Sequence, residues 1–149
     1  MKLKIKYVSE KIGREISAPY YATGGAAGMD LPACIDAPLT MLPGDRVAVP
    51  TGIAIAIPTA EYVGLIFARS SLGYKKGITL PNAVGVIDSD YRGEIMVALT
   101  NISDTPYEIQ PGERIAQLVI TPVCVADLEV VDELDGTERG GGGFGSTGK

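Results

Sequence analysis

Val123–Asp135, VCVADLEVVDELD, is the longest run in this chain without glycine or proline, and it is only 13 residues long. A helix bundle cannot be assembled from pieces this short. Gly and Pro number 19 and 10 among 149 residues, about 19% against roughly 12% in ordinary usage. Turn signals therefore punctuate the whole chain. Short strands between such turns point to an all-β sandwich or barrel with at most one short helix.

Other segments fit this reading. Met1 to Tyr7 alternates, with Met1, Leu3, Ile5 and Tyr7 on one face and Lys2, Lys4 and Lys6 on the other, which predicts a half-buried strand. Ile53 to Ile57 is apolar on both faces and predicts a fully buried one. Tyr62 to Ala68, Glu94 to Thr100 and Arg114 to Thr121 are further strands, and Pro43-Gly44 and Pro111-Gly112 mark turns. Ser70 to Lys76 reads as one short helical stretch, with Ser70 or Ser71 as its N-cap.

Composition excludes several kinds of chemistry. The chain has no histidine, so Ser-His-Asp and Cys-His triads and imidazole-liganded metals are ruled out. Cys34 and Cys124 are too few for a disulfide scaffold or a four-cysteine zinc site. Thirteen basic against 18 acidic residues give a net charge of −5, which argues against general nucleic-acid binding. Local arginines can still hold a small anion. No apolar stretch is long enough to span a membrane, and MKLKIKYVSE lacks the apolar core of a signal peptide. The expected location is the cytoplasm, with free thiols.

Five segments carry candidate chemistry. Ala68-Arg69-Ser70-Ser71-Leu72-Gly73 leaves a strand with one guanidinium and two hydroxyls at a helix start, either an anion site or a capped surface turn. Gly85 to Glu94, GVIDSDYRGE, suggests a hairpin, yet four charged residues beside Tyr91 exceed what a turn needs. Asp88 and Asp90 lie within it without the spacing of a calcium loop. Ala27-Gly28-Met29-Asp30-Leu31 and Gly112-Glu113-Arg114-Ile115-Ala116-Gln117 are individually explicable as turns and strand ends. The fifth segment is Arg139 to Lys149, RGGGGFGSTGK. Its matches to GxGxxG and GxxxxGK are decoys, because both motifs need a following helix and the sequence stops at Lys149. Composition alone favours a flexible linker. Arg139, Phe144, Ser146 and Thr147, spaced among glycines, instead suit an arm that closes over a nucleotide phosphate.

In this order, AGMDL, ARSSLG, GVIDSDYRGE, GERIAQ and RGGGGFGSTG resemble the five motifs of the trimeric dUTPase family. Pro50-Thr51-Gly52 also looks like the family. The resemblance implies a jelly-roll-like β fold, with a body over residues 1–135 and a closing arm over 136–149. It also implies a homotrimer with active sites shared between subunits, no nucleic-acid or membrane partner, and Mg2+ carried mainly by the triphosphate. The implied reaction takes dUTP and water to dUMP and pyrophosphate by attack at the α-phosphorus.

Carried over residue by residue, Asp88 resembles the carboxylate that orients the attacking water. Tyr91 resembles the ring that packs under deoxyribose and excludes a 2′-hydroxyl. The hairpin from Asn82 to Val97, with Gly85, Val86, Ile87 and Met96, resembles the uracil reader. Arg69, Ser70, Ser71 and Gln117 resemble the phosphate binders, and Asp30 the residue that reaches magnesium through water. Arg139, Phe144, Gly145, Ser146 and Thr147 resemble the closing arm, with Phe144 stacked on uracil. Ser71 and Gly141 depart from the family's pattern without removing a chemical group.

Two rivals share parts of this pattern. A dCTP deaminase has a similar fold and second motif, but aligning on Ile87-Asp88 puts Ala98 where its catalytic Glu belongs. A trimeric β-domain that binds nucleotide without turnover has no need of Asp88, Arg139 and Phe144 together.

Overall fold

The computed structural model describes residues 1–143. In chain order the strands are β1 (Lys4–Tyr7), β2 (Tyr20–Tyr21), β3 (Met29–Pro32), β4 (Leu39–Met41), β5 (Arg46–Pro50), β6 (Ile53–Ala56) and β7 (Tyr62–Ala68). The helix α1 (Ser70–Lys76) follows, then β8 (Ile78–Thr79), β9 (Gly85–Ile87), β10 (Met96–Asn101), β11 (Tyr107–Ile109) and β12 (Arg114–Pro122). Every ladder between these strands is antiparallel. The largest sheet has the order β2-β3-β12-β7-β9, and β5-β10-β8, β1-β6 and β11-β4 form three smaller sheets.

These sheets face one another across one apolar core. Leu31, Met41, Ile53, Leu99, Ile109 and Leu118 come from six different strands, and none has measurable solvent exposure. Burying each such side chain is worth about 1.5–3 kcal/mol, so the sheets are held as a jelly-roll-like sandwich rather than one closed barrel. Among the described residues no helix is long and apolar enough to cross a membrane.

The strands expected over Tyr62–Ala68, Arg114–Thr121, Glu94–Thr100 and Ile53–Ile57 are present, with ends shifted by at most two residues. Asp45 N donates to Leu42 O at 3.0 Å across the Pro43-Gly44 turn, and Glu113 N donates to Gln110 O at 3.0 Å across Pro111-Gly112.

Three expectations are corrected. β1 pairs with β6 as a strand, but all four of its residues are exposed: Ile5 and Tyr7 stand opposite the core residues Ile55 and Ile53, yet keep 39% and 53% of their surface in solvent. The α1 N-cap is Arg69, in extended conformation (φ −80, ψ 135), so both serines lie inside the first turn. Gly85 to Glu94 is not a two-stranded hairpin: β9 pairs with β7, whereas β10 pairs with β5 and β8. The intervening loop is therefore shaped by its own hydrogen bonds. Beyond Pro122, residues 123–143 form neither strand nor helix and are almost wholly exposed.

Candidate active site

A row of three side chains crosses the largest sheet. Asp30 on β3 stands opposite Gln117 on β12, and Gln117 opposite Phe67 on β7. Directly opposed residues share one face of a sheet, and this row floors an open cleft of about 490 Å³. Arg69, Ser70, Ser71 and Arg114 complete its polar wall, and Ala22, Ala26, Ala27 and Gly28 its rim.

The polar groups are mutually fixed. The Asp30 carboxylate, only 12% exposed, takes Arg69 Nε on Oδ1 at 3.1 Å and Arg114 Nη1 on Oδ2 at 2.9 Å. Arg69 Nη1 also donates to the Arg114 carbonyl at 3.2 Å. Gln117 Nε2 donates to the Ala68 carbonyl at 3.3 Å. A Cβ on Gly28 would come within 2.8 Å of Gln117 Oε1, so the absence of a side chain there lets the rim loop approach the glutamine.

The third motif lies apart from this cleft. Gly85, Val86 and Ile87 face Ile66, Leu65 and Gly64 at the sheet's edge. Just before them, Val84 N donates to Asn82 O at 2.7 Å around Ala83, whose φ is +62. Such a conformation costs about 1–3 kcal/mol in a non-glycine residue and concentrates at ligand sites.

After β9, Tyr91 N donates to Asp88 O at 3.2 Å, and Arg92 Nη1 donates to the carbonyls of Ser89 (2.7 Å) and Tyr91 (2.8 Å). The Tyr91 hydroxyl donates to Glu94 O at 2.9 Å. Gly52 N donates to Glu94 Oε1 at 2.8 Å, and Thr51 Oγ1 to Ile95 O at 2.7 Å. These bonds tie the loop to itself and to Thr51-Gly52, leaving the Asp88 side chain in solvent.

Within one chain, Asp30, Arg69, Ser70, Ser71 and Gln117 therefore meet in one cleft. Asn82, Asp88, Tyr91 and Met96 do not line it. Arg139 lies on the segment after β12, its Nε donating to Gly142 O at 2.9 Å. Phe144, Gly145, Ser146 and Thr147 lie outside the described residues.

A family model described as dUTPase matches residues 14–148. The chain is 52% identical over 149 residues to a deoxyuridine 5'-triphosphate nucleotidohydrolase of Paraburkholderia phymatum, covering all of this chain and 99% of the relative. A protein of the same description from Aeromonas salmonicida is 52% identical over 147 residues, covering 99% of this chain and 97% of the relative. Among solved structures, a Staphylococcus bacteriophage 80alpha dUTPase with dUPNHPP superimposes with a TM-score of 0.86 at 28% identity, covering 99% of both chains. The chain belongs to the dUTPase family.

Sequence reasoning missed three residues that shape the site of this dUTPase-family chain. Phe67 is in the floor row by strand register alone. Glu94 acts as an anchor for the loop, receiving both the Tyr91 hydroxyl and Gly52 N. Arg114 sits three residues from Gln117, which on a regular strand places it on the opposite face. A register shift between Arg114 and Ala116 brings both side chains to the cleft. Nothing in the sequence pattern signals that bulge.

Proposed function

We propose that the protein hydrolyses dUTP to dUMP and pyrophosphate by attack of water on the α-phosphorus. In the cytoplasm this reaction limits uracil incorporation into DNA and supplies dUMP for dTMP synthesis. The observation that carries this reading is the convergence of Arg69, Ser70, Ser71 and Gln117 on one cleft, in a chain whose relatives share its whole length. Guanidinium, hydroxyl and amide donors are the groups that bind a polyphosphate. The bacteriophage dUTPase's pairing with dUPNHPP supports a nucleotide ligand of this kind.

Roles divide between the two halves of the site. Arg69, Ser70, Ser71 and Gln117 hold the phosphates. Gly85, Val86, Ile87, Asn82 and Met96 present the edge that reads uracil, and Tyr91 packs under the deoxyribose. Asp88 aims the water and receives its proton. A carboxylate is a feeble base towards water, and general-base help of 10²–10⁴-fold is worth about 3–5.5 kcal/mol. Enzymes commonly supply ~8–23 kcal/mol, so the larger share falls to positioning and charge stabilisation by Arg69 and Arg139.

Magnesium fits this cleft as an ion bound through the substrate. Among the described residues no three carboxylates or cysteines gather as a cage. Both Asp30 oxygens already face guanidinium groups, but each keeps a lone pair that can accept from a water. Mg2+ retains several waters and binds through one or two carboxylates plus phosphates, so Asp30 would hold it at one remove. When bound, it supplies charge neutralisation of the triphosphate.

A homotrimer with shared sites explains why one chain separates Asp88 from Arg69. Ile5 and Tyr7 of β1 keep 39% and 53% exposure, and Leu128 and Val130 beyond β12 are 93% and 97% exposed. Surfaces of this kind mark association. Residues 136–149 then serve as an arm closing over the nucleotide, with Arg139 on phosphate and Phe144 on uracil, aided by Gly145, Ser146 and Thr147.

The deciding experiment is a panel of deoxynucleoside triphosphates with magnesium, followed by pyrophosphate and ammonia release. Pyrophosphate from dUTP alone is expected. Ammonia from dCTP would overturn the reading in favour of a deaminase, and tight dUTP binding without release would favour a binding module.

A further inference from the structure

We infer that Arg114 is a positioning residue whose task is to share Asp30, so that Arg69 keeps net positive charge for an incoming polyphosphate. The inference rests on reading the cleft as a phosphate site. Three charged groups form a closed cluster there: Arg69 Nε lies 3.1 Å from Asp30 Oδ1, Arg114 Nη1 lies 2.9 Å from Asp30 Oδ2, and Arg69 Nη1 reaches the Arg114 carbonyl at 3.2 Å.

The charge arithmetic shows why the second arginine matters. Asp30 with Arg69 alone is a neutral pair, and a neutral pair is a poor receptor for a polyanion. Arg114 returns the cluster to a single positive charge. It also donates to Asp30 Oδ2, while Arg69 meets the carboxylate on Oδ1 through Nε rather than as a two-pronged fork. Arg69 thus spends two of its five N–H donors on the cluster and keeps three. Its guanidinium plane is fixed by two partners, so little freedom remains to be lost when a ligand arrives.

The backbone is built to allow this. Arg114 stands opposite Pro32, but Ala116 stands opposite Leu31, so Ile115 is an extra residue in β12. Bulges of this kind re-aim side chains beside sites. Here Ile115 enters the core, with 1% exposure, while Arg114 joins Gln117 in the cleft.

The test uses inorganic tripolyphosphate as the probe, titrated calorimetrically into the full chain, and KM and kcat for dUTP. Arg114→Gln is expected to weaken tripolyphosphate by about tenfold or more and to raise KM more than it lowers kcat. Adding Asp30→Asn to Arg114→Gln is expected to restore most of the affinity, because it releases Arg69 from a neutral pair. A purely structural arginine would show no such rescue. Arg114→Lys, which keeps the charge without the fork, is expected to fall between parent and Arg114→Gln, and decides the matter if the glutamine variant does not fold. Tripolyphosphate binding unchanged within about twofold in the folded variant would overturn the inference, as would a double variant no better than Arg114→Gln. A parent protein that does not bind tripolyphosphate would instead overturn the reading of the cleft.

Discussion

The Tyr91 hydroxyl is held against Glu94 O at 2.9 Å, and a Cβ on Gly93 would stand only 2.4 Å from that hydroxyl. Glycine at 93 is thus what allows the ring to fold back over its own loop. In the proposed reaction this ring is the floor beneath the sugar. Tyr91→Ala is expected to relax discrimination between dUTP and UTP, and Gly93→Ala to do so in part by displacing the ring. Comparing kcat/KM for the two nucleotides checks this; an unaltered ratio in Tyr91→Ala contradicts the role.

Asp88 projects from a loop that is tied by Arg92 and Tyr91 and by bonds to Thr51-Gly52. None of those bonds uses the Asp88 carboxylate, so Asp88→Asn leaves the loop's ties in place. Turnover is expected to fall by about 10²–10⁴-fold, with dUTP affinity retained. Single-turnover kinetics beside equilibrium binding checks both halves. Turnover within about twofold of the parent sinks the assignment of Asp88 as base.

Of the segment Arg139–Lys149, the described residues 139–143 contribute nothing to the apolar core. A protein shortened by this segment is expected to melt at the parent's temperature and to hydrolyse dUTP far more slowly. Thermal unfolding and a hydrolysis assay on the same sample test this. Normal hydrolysis by the shortened protein removes the closing arm from the account.

Tyr107 supplies a pH dependence unconnected with catalysis. Burial, and then its hydrogen bond to Glu113, push its phenol up to about 12 from 10.0. The folded state therefore favours the neutral phenol. The stabilisation is fully present below pH 10 and is lost as pH rises through about 12. Tyr107→Phe has no phenol to ionise, so its stability should fall less across that interval. Denaturant unfolding at several alkaline pH values measures the difference; parallel curves for the two proteins would contradict it.

The strands were legible because alternation and turn residues are local signals: Tyr62–Ala68 and the Pro43-Gly44 and Pro111-Gly112 turns could be read directly. The chemistry-bearing segments were legible as well, since Arg69-Ser70-Ser71 and Asp88 to Tyr91 concentrate polar groups beyond what turns require. What stayed hidden depends on pairings distant in sequence. Alternation in β1 indicated an apolar face but not that its residues would stay exposed in a single chain. The β9–β7 pairing spans an intervening helix, so the third motif looked like a hairpin with β10. Arg114 was concealed by a bulge, and Asp30 looked like an isolated strand-end carboxylate because both of its cationic partners are far along the chain.

The central claim is that water attacks the innermost phosphorus of dUTP. It is tested most directly by running the hydrolysis in water enriched in the heavy isotope of oxygen and weighing both products by mass spectrometry. The account expects one heavy oxygen in dUMP and none in pyrophosphate. Heavy oxygen in pyrophosphate, with unlabelled dUMP, would place the attack on the β-phosphorus and contradict it.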